Sequence, residues 1–111
     1  MANRPITITG INPSDNSLIL SDNGNTTANR GDTVTWNIGN NSGVASITGI
    51  IDDSDIDIFS PDPSLQPNSS SWQGTVNPNL TVPSEEYYTI TYTSSGSNEE
   101  HSFDPKIQVN T

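Results

Sequence analysis

The run from Tyr87 to Thr93, YYTITYT, alternates strictly, with Tyr88, Ile90 and Tyr92 on one side and Tyr87, Thr89, Thr91 and Thr93 on the other. Alternation of aromatic and β-branched residues with a period of two marks a strand with one buried and one wet face. A second such run, Phe103 to Val109, follows after a polar loop; it sets Phe103, Ile107 and Val109 on one side with Pro105 in phase. The two read as a closing hairpin. A strand pair cannot bury an apolar face by itself, so the upstream chain must supply a facing sheet.

It carries the right pieces. Pro5 to Gly10 alternates Ile6 and Ile8 against threonines, and Leu18 to Leu20 is a short strand. Ser21 to Asp32 reads as a long polar loop with a tight-turn signal at Asn23-Gly24. Asp32 to Ile38 turns Val34, Trp36 and Ile38 to one side, and Gly39 to Gly43 reverses the chain. Val44 to Ile51 is the next apolar run, with Ile47 and Ala45 expected inward. Asp52 to Ser64, where Ile56, Ile58 and Phe59 sit among acids and prolines, reads as a short strand or irregular crossover. Ser71 to Val76 places Trp72, Gly74 and Val76 on one side and Gln73 and Thr75 on the other; Leu80 and Val82 alternate briefly.

Short strands spaced by turn residues, with no 3.6-residue periodicity, predict an all-β Greek-key β-sandwich of about seven or eight strands. At 111 residues the chain is expected to form a single domain, 1–111. Only 29% of the residues are hydrophobic. A chain so poor in apolar residues and so charged could stay unfolded, but its aromatic residues sit mostly inside the alternating runs.

The net charge is −10, from 13 acidic and 3 basic residues. That balance disfavours phosphate-backbone recognition, which needs clustered Lys and Arg, and docking on anionic lipid. Neither a nucleic acid nor a membrane is expected as partner; no apolar run approaches the ~20 residues of a span. No leader is visible at the N-terminus, so a cytoplasmic location is expected if Met1 is the native start. There is no cysteine, which excludes disulfides and thiolate-bound metals. Asn25, Asn40, Asn68 and Asn79 open glycosylation-type triplets, as chance alone produces in a chain rich in Asn, Ser and Thr.

Gly31 to Trp36, GDTVTW, resembles the strand of cupredoxins that begins G-D-x-V-x-W, and the closing hairpin resembles that family's Y-x-F-x-C, loop, H, M-x-G-x-I-x-V ending. The first motif is shared with immunoglobulin-like modules. The resemblance implies a cupredoxin-like or immunoglobulin-like sandwich. Blue copper needs two His, a Cys and usually an axial Met. Tyr92 stands at the Cys position, Phe103 at the axial position, and the loop after Trp36 has no His. The resemblance therefore implies the scaffold without its copper and without electron transfer.

Other candidate sites follow from residue chemistry. Asp52, Asp53, Asp55 and Asp57 crowd one segment; Asp53, Asp55 and Asp57 would project to one side of an extended loop and could share Ca²⁺. The bland reading is an acidic segment guarding a strand edge. Trp72 beside Gln73 suits a sugar platform, against core packing for the indole. Trp36, on an apolar face, reads as core. His101, after Glu99 and Glu100, is a pH-responsive loop residue or a lone metal ligand, or simply solvated. No nucleophile, base and orienter group together, so an enzyme is not expected. The leading reading is a binding or structural module meeting a protein partner or forming a homo-oligomer. The alternative is a Ca²⁺-dependent or carbohydrate-binding domain using Asp52–Asp57 and Trp72, so no cofactor is expected unless it is Ca²⁺.

Overall fold

The alternation is realised as two layers. The computed structural model describes residues 3–52, 57–60, 62–67, 69–96 and 99–110. Its strands in chain order are β1 (Asn3–Ile11), β2 (Leu18–Leu20), β3 (Asn25–Ala28), β4 (Thr33–Ile38), β5 (Val44–Asp52), β6 (Ser64–Leu65), β7 (Trp72–Thr75), β8 (Ser84–Ser94), β9 (Glu100–Phe103) and β10 (Lys106–Val109). No helix occurs among the described residues. One sheet has the order β2-β1-β4-β7-β6; the other runs β3-β10-β8-β5, with β9 also paired to β8. Both sheets are mixed, because β1 lies parallel to β4 and β10 parallel to β3. The radius of gyration, 13.4 Å, matches the ~13 Å of a compact domain this long. The expected all-β sandwich is what forms.

Each inner face supplies the residues its pattern demands. Ile6, Ile8, Leu18, Leu20, Val34 and Trp36 come from the first sheet, and Ile47, Ile50, Tyr88, Ile90, Tyr92, Ile107 and Val109 from the second; all are buried. At the centre Trp36, Phe59 and Tyr88 meet edge to face, with ring centroids 5.5–5.7 Å apart. Aromatic pairs in this arrangement gain about 0.5–1.5 kcal/mol beyond their buried area. Phe59 reaches the cluster from the irregular crossover. A bridge to Val76 holds it there, flanked by Ser60 N–H to Thr75 O and Asn77 N–H to Ile58 O, both 2.8 Å.

Hydrogen bonds satisfy the polar groups at and around this cluster. Trp36 Nε1 donates to the Tyr88 hydroxyl at 3.1 Å. Nearby, Thr26 Oγ1 donates to an Asp22 carboxylate oxygen. Asp22 in turn holds the β2–β3 turn, accepting from Gly24 N–H at 3.0 Å. That turn needs positive φ at both central residues, 61° at Asn23 and 77° at Gly24, which is why Asn-Gly suits it. Burial pushes the Tyr88 phenol well above its ordinary value of 10.0; the Trp36 bond opposes this and the Asp22 charge adds to it. At the start of β4 the buried carboxylate of Asp32 accepts from Arg4 Nε at 2.9 Å and Asn29 N–H at 3.0 Å. This ties β1 to the crossover from β3.

Four details depart from the alternation reading. The stretch Ser21–Asp32, expected as loop, contains β3, whose Thr26 and Ala28 are buried. Thr26 goes inside because Asp22 accepts from its hydroxyl. In β5, Val44, Ile47 and Ile50 point inward while Ala45 is exposed. The register slips between Val44 and Ser46 and again between Ile47 and Gly49. Each slip advances the inward set by one residue, so the spacing is three. The last strand is broken into β9 and β10 at Asp104-Pro105, where Pro105 offers only its carbonyl, taken by Tyr88 N–H at 3.1 Å. β8 starts at Ser84, earlier than the Tyr87 boundary.

Tyr88→Phe leaves the buried indole N–H without its acceptor. It is expected to lower stability in urea by about 1–3 kcal/mol with unchanged far-ultraviolet circular dichroism. Below pH 10 folded and unfolded chains both hold the Tyr88 phenolic proton, so this group's contribution is constant there. Above pH 10 only the folded chain keeps it, so this group costs about 1.4 kcal/mol of stability per pH unit. Urea midpoints against pH should show a shallower alkaline loss in the Phe variant.

Candidate functional site

Each residue singled out by the sequence has a definite place. Tyr92 is on the inner face of β8, fully buried, and its hydroxyl donates to the Asn16 carbonyl. Burial, with the Asp15 charge adding to it, pushes the phenol up. His101 stands opposite Tyr92 across the β8–β9 pair, half-buried, with ring centroids 5.6 Å apart. Phe103, opposite Ile90, is half-buried against the core and lies beneath Gly24. The positions where the cupredoxin pattern carries Cys and an axial ligand thus hold a phenol and a phenyl ring. The imidazole between them meets an aromatic face.

Asp53 and Asp55 lie outside the described residues. Asp57 is exposed, and its backbone carbonyl accepts from Asn77 Nδ2 at 2.9 Å, which fixes the chain just before buried Ile58 and Phe59. Among the described residues no three His, Asp or Glu side chains group as a metal site. Trp72 and Gln73 are not brought together. Trp72 lies opposite Trp36 on the inner side, half-buried and packed on the core, with its Nε1 buried and unpartnered. Gln73 faces outward beside Thr35 of β4 and Ser64 of β6.

The two outer faces differ more than any single residue suggests. On the second sheet, Glu85 accepts from Lys106 Nζ at 3.1 Å and from Gln108 Nε2 at 2.8 Å. Those two bonds hold its carboxyl below the ordinary value of 4.5. On the same face Thr48 Oγ1 donates to Glu100 at 2.8 Å, and Thr89 Oγ1 to Asp104 at 2.7 Å. The outer face of the first sheet presents Pro5, Thr7, Thr9, Ile19, Thr33, Thr35, Asn37, Gln73 and Thr75. These alternate with buried Ile6, Ile8, Val34, Trp36 and Gly74. Arg4 is the one charged residue in those five strands, and it is in phase with Ile6 and bound to Asp32.

Exposed apolar side chains are also unevenly placed. Among the described residues the large ones are Ile19, Ile51, Leu65 and Tyr87. Ile19, Ile51 and Leu65 lie on β2, β5 and β6, each the terminal strand of a sheet. Residue chemistry alone points to the acidic segment, Trp72 and His101 as candidate sites. The edge residues carried no signal of that kind, because strand order decides which apolar residue lacks a neighbour.

No protein-family model matches the chain, and no curated protein is detectably similar to it in sequence. The fold defines the class, an all-β sandwich, and the functional reading rests on its surfaces.

Trp72→Ala removes a half-buried indole from the core rim. It is expected to cost about 2 kcal/mol in chemical denaturation, below the ~3–5 kcal/mol of a fully buried aromatic.

Proposed function

We propose that this chain is a non-enzymatic binding or structural module on a cupredoxin-like or immunoglobulin-like sandwich without copper, and that it meets a protein partner or a second copy by strand addition at a sheet edge. The observation that carries the reading is the placement of exposed Ile19, Ile51 and Leu65 on terminal strands. An added strand gains main-chain hydrogen bonds along a free edge, and side-chain contacts beside it give selectivity.

The four terminal strands are not equal. β2, β3 and β6 have three, four and two residues, whereas β5 has nine. The two slips disturb the first part of β5, but the pairing of Gly49 to Asp52 with Thr91 to Tyr88 is regular. This regular end carries Ile51, 57% exposed. The bulges limit indiscriminate pairing along the rest of the edge.

Hydrogen exchange of the backbone amides across a concentration series tests the reading. The amides around Gly49–Asp52 are expected to gain protection as protein concentration rises toward the millimolar range, and Ile51→Lys is expected to abolish that gain. Protection that stays flat through one millimolar argues against strand addition between copies.

A further inference from the structure

We propose that the uncharged outer face of the β2-β1-β4-β7-β6 sheet stacks on the same face of a second copy. This pairing starts from the binding-module reading but uses a different surface, so the two can fail separately. The first argument is charge. Each copy carries −10, and the opposite outer face displays Glu85, Glu100 and Asp104. Two copies meeting there would set carboxylate against carboxylate. The five strands of the first sheet present only neutral side chains outward, so here the copies approach with their acidic faces turned away from each other.

The second argument is shape and chemistry. Threonine, asparagine and glutamine project between methyl groups from a continuous pleated surface, and Thr35 donates to Asn3 Oδ1 at 2.9 Å within it. Ile19, 49% exposed, adds an apolar anchor at the β2 margin. Stacked sheets sit about 10 Å apart. With strands about 4.8 Å apart and on average about five residues long at ~3.3 Å each, the face measures roughly 24 Å by 16 Å. That buries about 770 Å² in all, so the association is weak and transient. The contact is self-complementary, so a two-fold axis closes it at a dimer. β4 is the middle strand, which puts Thr35 close to that axis.

Sedimentation velocity on the full chain reads the dimer directly. Wild type is expected to shift from monomer to dimer between about 10 μM and 1 mM. The shift should be stronger at 0.5 M than at 0.05 M NaCl, because salt screens the repulsion between the acidic bodies. Thr35→Glu sets two carboxylates across the axis and is expected to weaken dimerisation at least tenfold; Gln73→Glu is a second probe one strand away. Both positions face solvent, and circular dichroism confirms that each variant is folded. Ile51→Lys should leave this dimer intact. A wild type that remains monomeric at 1 mM in 0.5 M NaCl overturns the stacking, as does a dimer equally strong in both Glu variants. A dimer lost only in Ile51→Lys overturns the stacking and supports the edge instead.

Discussion

The contact between Trp36 and Tyr88 is the one on which the two layers depend. It is an edge-to-face ring pair and, through the indole N–H and the phenol, a hydrogen bond. Each polar atom is buried and would cost free energy unpaired. Together they fix both the distance and the offset between the sheets. With only 29% hydrophobic residues, the chain has little apolar surface to spread over a core. Large rings at the centre, with satisfied polar tips, fill that volume with few residues. Thr26 Oγ1 and Gly24 N–H both donate to Asp22, which holds the turn before β3.

The fold was legible where side-chain pattern and backbone geometry coincide. Tyr88, Ile90 and Tyr92 are buried as their alternation requires, and so are Val34 and Trp36. Pattern failed where the backbone breaks period two. The inward set Val44, Ile47 and Ile50 looks helical in spacing, and only the bulges in β5 make it a strand face. β3 was hidden because its inward Thr26 is polar, and its burial depends on Asp22, four residues away, which accepts from its hydroxyl.

The surfaces were less legible than the core. Trp72 and Gln73 are neighbours in sequence, and for that reason they point to opposite sides of β7. The neutral outer face draws on β1, β4 and β7, which become neighbours only through the sheet order. Each strand alone offers a few threonines, an ordinary solvent side. Assembled, they make a continuous uncharged surface on a strongly acidic body. The charge total says how much repulsion the molecule carries; the sheet order says where it is absent.

The positions of β1 and β10 carry a consequence for how the chain reaches this state. β1 lies between β2 and β4, and β10 between β3 and β8. Each is an interior strand, and each has one parallel neighbour far away in sequence. Neither sheet can be completed by local zipping. During synthesis the first sheet must hold a place beside β1 for β4, and the second stays split until β10 inserts between strands already made. Such long-range closure makes for slow, topology-limited folding, in the range of milliseconds to seconds. Until it happens, β3 and β8 present unpaired flanks, so the nascent chain is prone to mispairing just before β10 arrives.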